Sequence, residues 1–338
     1  MEEKSATVFV VAEQGEDGIQ PVSLQLVGKA RQLADKLGSK VGAVLLGQNL
    51  TKVAQKLVEV GVDFVFQGDS ELLVPYQAEL YSEIIVKLMV EHCPDILLIG
   101  STFMGRELAP LVAARLKTGL TAHCIDLVIN NEGILEQKIP AYGGMITIVC
   151  PKKRPQMATV ANGVFPNPVL DSARSGEIIP IDVPKEFPLR VQTLEIVKEK
   201  SEGISLESAS VIVAGGAGAG DHDGWHQIAE LADVLNAGFG STRPAVDAGW
   251  TELETMIGQS GKMVNPEVYI GVGLSGELQH MVGIVGAKIM IAINNDAKAP
   301  VFEQVDYGVV EDCRVFVPAL VKTLKNNEAY AGRAAHVI

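Results

Sequence analysis

The sequence predicts an α/β protein of two domains, and three observations carry that expectation. Short apolar runs rich in branched residues alternate with longer helical patterns. The 338 residues include 34 glycines and only 5% aromatics, which suits parallel sheet with glycine-bearing strand-to-helix turns. The same strand–turn–helix grammar then restarts at "ASVIVAGGAGAGDHDGWHQ", after a segment dense in prolines and charges.

In the first domain, "TVFVVAE" (7–13), "VGAVLLG" (41–47), "DFVFQGD" (63–69) and "DILLIGS" (95–101) read as strands that end in turn-formers. Between the first two, a helix begins at Pro21 and stops at Gly38, with Leu26, Ala30, Leu33 and Leu37 on one face. "YQAELYSEIIVKLMVEH" and "GRELAPLVAARLKTG" read as two more helices. Strands alternating with helices imply a parallel sheet with right-handed crossovers. From Thr121 to about Val164 the rhythm shortens, and "HCIDLVIN", "ILEQKIPAY", "MITIVC" and "QMATV" read as antiparallel strands added at the sheet edge. Residues 166 to 205 are expected to be a linker or a surface-hugging strand, which closes the first domain at 205. The second domain, 206–338, opens with a strand over 211–214, a Gly-rich turn and a helix over 225–235. Two further strand–helix steps are expected around Tyr269 and Met290.

Composition removes several function classes. A net charge of −13 leaves no basic stripe to neutralise phosphates, so no nucleic-acid partner is expected. No apolar run approaches the roughly 18 residues of a membrane span, and "MEEKSATVFVVAE" enters a strand at once, unlike a signal or transit peptide. Cys93, Cys124, Cys150 and Cys313 are scattered without metal-ligand spacing, so they read as buried, reduced thiols and the cytoplasm is the expected compartment.

The Gly-rich turn "GGAGAG" (215–220) is a candidate phosphate cradle, because glycine lets backbone N–H groups approach an anion at a helix start. It matches neither the Gly-x-Gly-x-x-Gly fingerprint, since position 221 is Asp, nor a P-loop. Arg243 stands out in a domain with eight Lys and Arg against sixteen Asp and Glu. It follows a glycine-flanked strand, at the carboxyl end where open α/β sheets bind ligands, although an ion pair with Asp247 explains it equally well. In "GLSGELQH" (273–280), Gln279 and His280 sit just inside an expected helix. That places them toward a polar ligand, whereas a lone histidine among apolar neighbours is more often structural.

The order and spacing of "GGAGAG", "GSTRPAVDAGW", "IGQSGK", "VYIGVGLSGELQH", "IAINNDAKAPVFEQVDYGVVEDC" and "VPAL" resemble the α subunit of electron transfer flavoprotein. In the first domain, "GSTFMGRELAPLVAARLKTGLTAHCIDL" and "RPQMATVANGVF" extend the resemblance over nearly the whole chain. The resemblance implies a heterodimer with a β subunit and FAD held mainly by the second domain. It places Arg243 against the flavin ring with Thr242 beside it, and the Ser260 hydroxyl at flavin N5 with Ile257, Gly258 and Gln259 nearby. Ser275, Gly276, Glu277, Leu278, Gln279 and His280 would line the flavin and ribityl chain, His280 reaching the N1/C2-carbonyl edge. Asn294, Asp312 and Cys313 would serve the adenosine half. Arg243, Ser260 and His280 would tune the potential. Reduction puts negative charge on N1 and the C2 carbonyl, and one charge-assisted hydrogen bond there shifts a potential by on the order of 100 mV.

Two departures mark this chain: Ala217 where the family commonly carries Arg, and Ser260 in place of the more usual Thr. The implied function is an electron carrier and not a substrate-converting enzyme. It would take electrons from a flavin dehydrogenase, such as an acyl-CoA dehydrogenase of fatty acid β-oxidation, and pass them to a quinone reductase. The alternative is a subunit of an electron-bifurcating complex in which the β subunit takes hydride from NADH. A cofactor-free structural subunit rests on Ala217 alone, and a nicotinamide dehydrogenase lacks both its fingerprint and an acid–base pair.

Overall fold

The computed structural model describes residues 7–15, 18–141, 144–197, 204–284 and 286–326, and the chain divides into two units between residues 197 and 198. In the first unit, β1 (Thr7–Ala12) leads through a short ladder, β2 (Gln14–Gly15) with β3 (Gly18–Ile19), into α1 (Pro21–Leu37). β4 (Lys40–Gly47), α2 (Thr51–Val60), β5 (Phe64–Asp69), α3 (Ala78–His92), β6 (Ile96–Gly100), α4 (Phe103–Leu116) and β7 (Leu120–Cys124) follow. β8 (Asp126–Ile129), β9 (Leu135–Ala141), β10 (Gly144–Val149), β11 (Gln156–Val160) and β12 (Glu177–Pro180) complete the unit. A seven-stranded sheet runs β12-β5-β4-β1-β6-β11-β7, all pairs parallel, so the order reverses direction between β1 and β6.

Helix α1 forms as its sequence requires. Pro21 supplies the first helical φ, and Gly38 closes the helix at φ +61°, a left-handed conformation that costs glycine little. Leu26, Ala30 and Leu33 are buried against the sheet. The unmarked stretch 51–60 is also a helix, α2, which buries Ala54, Leu57 and Val58. The Asp69 carboxylate accepts the backbone N–H groups of Asn49 and Leu50 just before it, each at 2.9 Å.

Two expectations are corrected. "QMATV" is not an antiparallel edge strand: as β11 it lies inside the parallel sheet between β6 and β7, with all five residues buried. Gln156 and Thr159 interrupt the apolar run that would mark a strand buried on both faces, and the short spacing imitates a hairpin. Of the strands expected at that edge, β8, β9 and β10 pair antiparallel, and they form a separate three-stranded sheet. In the proline-bearing segment, β12 pairs parallel with β5 and its flanks seat Ile179, Ile181, Val183 and Phe187 on the core. Of the two readings of that segment, the surface-hugging strand is the one formed.

In the second unit, β13 (Val211–Gly215), α5 (His222–Val234), β14 (Gly238–Ser241), α6 (Arg243–Asp247), β15 (Val268–Val272), α7 (Leu278–Met281), β16 (Ile289–Asn294), β17 (Tyr307–Val310) and α8 (Cys313–Asn326) build a parallel sheet ordered β14-β13-β15-β16-β17. One face carries α5 and α8 through Trp225, Ile228, Leu231, Val317 and Val321. The other buries Ile212, Ala214 and Tyr269 beneath Leu206, Ile257, Val264, Leu274 and Val301. The expected helices after β15 and β16 are absent as such: α7 is a single turn, and a 3₁₀ turn at Pro300–Glu303 follows β16. Loops rather than helices cover this face, which leaves room at the carboxyl ends of the strands.

At the carboxyl ends of β1 and β6, Glu13 is 5% exposed. One of its oxygens accepts from Thr102 Oγ1 at 2.7 Å, while Oε1 has no partner. Burial raises its pKa from 4.5 to about 7. Because the folded value is raised, the stability this group allows is whole below about pH 4.5 and is lost as pH rises through about 7, by roughly 3 kcal/mol. Urea denaturation of Glu13→Gln should therefore show a variant that gains on the wild type by about that amount between pH 4.5 and pH 8. Parallel pH profiles for the two proteins would mean that Glu13 is ionised without penalty.

Candidate functional site

Along the carboxyl edge of the second sheet lies a pocket of about 700 Å³, within the range of small-molecule and cofactor sites. Its floor is made by two turns that touch through glycine. The Gly216 N–H donates to Val272 O at 2.9 Å and the Gly218 N–H to Gly273 O at 2.8 Å. A Cβ on Gly218 would meet Gly273 Cα and O at 2.7 Å each, so only glycine lets the turns approach. The Gly-rich run thus satisfies its own donors: the Ala219 and Gly220 N–H groups also close local turns. Its glycines serve turn-to-turn packing, and these four N–H groups are already paired within the chain, as in the tight turn that the sequence allowed equally with a phosphate cradle. Cys313 supports the run from behind, its thiol donating to Gly218 O at 3.3 Å.

One wall comes from the end of β14. Thr242 is 8% exposed and occupies the N-cap of α6, yet its hydroxyl makes no cap hydrogen bond, and Oγ1 is buried without a partner in the chain. A threonine at this position ordinarily caps its helix. Here the hydroxyl is orphaned in a residue that lines the pocket, which is what a ligand-binding group looks like before its ligand is considered. Arg243 follows on the rim, its Nε 2.7 Å from Asp247 Oδ1, both side chains more than half exposed. The ion pair and the pocket-lining position coexist, so the two sequence readings of Arg243 do not compete.

The facing wall is the loop 257–262, laced to α7. Gln259 donates its N–H to Gln279 O at 2.7 Å, and Gly258, at φ +140°, lets the two backbones approach: its Cβ would lie 2.4 Å from that same carbonyl. Ser260 and Gln259 are exposed on this loop and line the pocket. Ser275, Gly276, Glu277 and Gln279 border it from the turn after β15, and Asn294 closes the far end. Asn294 Nδ2 donates to Leu274 O at 2.9 Å and its Oδ1 accepts the Asp296 N–H at 2.9 Å.

His280 lines the pocket. The ring is 7% exposed, with Nε2 2.6 Å from Tyr269 Oη and Nδ1 3.0 Å from Ile257 O. Both ring nitrogens have partners inside the protein. Burial outweighs the carbonyl contact and pushes its pKa down to about 4, leaving a neutral imidazole.

The structure brings together Thr242, Arg243, Ile257, Gly258, Gln259, Ser260, Ser275, Gly276, Glu277, Gln279, His280 and Asn294 around one space. Three expected residues stand outside it. Leu278 is 41% exposed and is not among the lining residues. Asp312 accepts the Arg314 N–H at 2.9 Å at the start of α8, and Cys313 lies under the glycine turn. Sequence reasoning gave no site role to Pro244, Met256, Gly261, Asp296, Ala299 and Pro300, which also line the pocket. Each lies within six residues of one that was named, and that proximity is the signal that could have found them.

The chemistry of this lining fits FAD: an orphaned hydroxyl, an exposed cation, a second hydroxyl at Ser260, and the partly buried amide of Asn294. Among the described residues there is no cluster able to hold a metal ion, and no helix long and apolar enough to cross a membrane.

Comparison with known proteins agrees. Residues 8–186 match the electron transfer flavoprotein domain, and residues 205–285 the electron transfer flavoprotein FAD-binding domain. The electron transfer flavoprotein subunit alpha of Thermoanaerobacterium thermosaccharolyticum is 43% identical over 321 residues, covering 94% of this chain and 97% of that one. The subunit alpha from Megasphaera elsdenii is 38% identical, covering 96% and 98%. The lactate dehydrogenase (NAD(+),ferredoxin) subunit LctC of Acetobacterium woodii is 37% identical, covering 96% of this chain and 78% of its own. With a family model matched in each unit and a 43% identical relative covering 94% of the chain, the chain belongs to the electron transfer flavoprotein family as an α subunit, an electron-carrying flavoprotein subunit whose second unit carries the family's FAD-binding domain.

Proposed function

We propose that FAD lies along the carboxyl edge of the second sheet, and that the chain, paired with a β subunit, carries electrons from a flavin dehydrogenase to a quinone reductase. The observation that carries the placement is the orphaned Thr242 hydroxyl in a pocket bordered by Arg243 and Ser260. FAD supplies an isoalloxazine ring that takes up electrons singly or in pairs. The residues of this chain supply its surroundings. Thr242 Oγ1 accepts or donates one hydrogen bond at the ring, Ser260 offers a second from the facing loop, and Asn294 anchors the adenosine half. Arg243 sets a positive charge beside the atoms that become negative on reduction. Glu277, Gln279 and Ser275 flank the ribityl chain. Acyl-CoA dehydrogenases are the donors proposed, and the cytoplasm the compartment, a placement that four unpaired cysteines support.

A second reading is favoured by one observation, the 37% identity to a subunit whose name joins NAD(+) and ferredoxin. In that reading the heterodimer holds another flavin in the β subunit and bifurcates electrons from NADH. Flavin quantitation and stepwise reduction of the co-purified heterodimer separate the two. One FAD per heterodimer, not reduced by NADH, sustains the carrier; two FADs, one reduced directly by NADH, sustain bifurcation.

The geometry sets the size of the Arg243 effect. The guanidinium is 65% exposed and shared with Asp247, so solvent and the carboxylate both weaken it. About 1 kcal/mol then reaches the flavin, on the order of 40 mV for one electron, which is less than a desolvated cation would give. Arg243→Ala should lower the potential of the first electron by about that much while FAD content changes little. Asp247→Asn should raise it, because the guanidinium loses its competing partner. Spectroelectrochemistry at low and high salt measures both, and an Arg243→Ala protein with the wild-type potential would remove this residue from the role.

A further inference from the structure

His280 borders the pocket and yet spends both ring nitrogens elsewhere. The assignment of hydrogens follows from the partners. Ile257 O, 3.0 Å from Nδ1, is a carbonyl and can only accept, so Nδ1 carries the hydrogen. In a neutral ring Nε2 is then an acceptor, and Tyr269 O–H, 2.6 Å away, donates to it. Tyr269 is 0% exposed, in the middle strand of the sheet, with its ring in the cluster of Ile212, Leu274 and Val301. Its hydroxyl hydrogen therefore has no solvent to turn toward. A second proton on the imidazole would set two O–H and N–H hydrogens against each other across 2.6 Å in a dry site.

Charged groups do not offset this. The charged residues of the pocket are Arg243, Glu277 and Asp296, all exposed, and among the described residues no carboxylate pairs with the ring. The dyad is anchored by the apolar cluster around Tyr269 on the sheet side and by Ile257 O of the loop 257–262 on the other.

We infer that Tyr269 is a positioning residue that locks His280 as the neutral Nδ1–H tautomer, with its carbon edge toward the pocket. This rests on the reading that FAD occupies that pocket. Two consequences follow for the chain's chemistry. The positive charge beside the reduced flavin comes from Arg243 and not from His280. His280 also ties the loop bearing Ser260 to α7, so the tautomer sets the position of that hydroxyl as well.

The test uses the full chain, with its β subunit if the two purify together, selectively ¹⁵N-labelled at its six histidines. Long-range ¹H–¹⁵N spectra should show His280 with a protonated Nδ1 and an unprotonated Nε2 down to about pH 5 in the wild type. In Tyr269→Phe, the neutral form loses its donor, and the titration midpoint should rise by roughly half to one pH unit. The potential of the first electron in that variant should become more positive than the wild type at pH 5.5 and match it at pH 8, a pH signature that loose packing alone would not produce. An Nε2–H ring in the wild type, or identical titrations in the two proteins, would overturn the lock; the wild-type spectrum decides this even if the variant fails to fold. His280 resonances that stay unchanged on FAD binding would instead overturn the pocket assignment, and with it the link to the flavin.

Discussion

Two turns that meet without side chains govern the second unit. The strands β13 and β15 end side by side, and the turns that leave them, 215–220 and 273–276, pack backbone against backbone through Gly216, Gly218 and Gly273. Because nothing stands up from that floor, the space above it stays empty and the lining can be set by the next residues outward. Thr242 reaches it from β14 and Asn294 from β16. The parallel sheet makes this possible, since every strand delivers its carboxyl end to the same edge.

The walls are then built by satisfying backbone groups that loops leave open. A face covered by helices would pair its own N–H and C=O groups. Here the loop 257–262 and the single turn α7 do so for each other, through Gln259 N–H to Gln279 O and through the imidazole of His280 on Ile257 O. His280 is thus structural and site-bordering at once. The common expectation for a lone histidine among apolar neighbours holds here at a residue that also lines the pocket, because burial that leaves it neutral also fixes its place.

Electrostatics divides along the same lines. The buried groups near the pocket are neutral, and the charged ones, Arg243, Glu277 and Asp296, stay on the exposed rim. Desolvating a charge is expensive, so a cation that acts on the cofactor from the rim acts weakly and in competition with Asp247. Ala217, on the glycine floor, adds no charge that could compensate. The first unit shows the opposite case in Glu13, where a carboxyl is buried beside Thr102 with one oxygen unpartnered.

Much of this was legible in the residues alone. Strand and helix signals such as Pro21, Gly38 and the Leu26–Ala30–Leu33 face are local, so they survive folding unchanged. The order of the glycine, Ser-Thr-Arg and Ser-Gly-x-x-Gln-His motifs named the family and most of the pocket, because those residues sit at strand ends in sequence as they do in space. Three things were decided only by the tertiary structure. Whether "QMATV" lies at an edge or inside the sheet depends on which strands flank it, and no local pattern reports that. Asp312 and Cys313 follow a strand as promisingly as Asn294 does, but they turn away to begin α8 and to brace Gly218. The charge state of His280 depends on burial, which only folding supplies, and its ring partners are a tyrosine eleven residues earlier and a carbonyl twenty-three residues earlier; a hydrogen bond between distant segments exists only once the chain has folded.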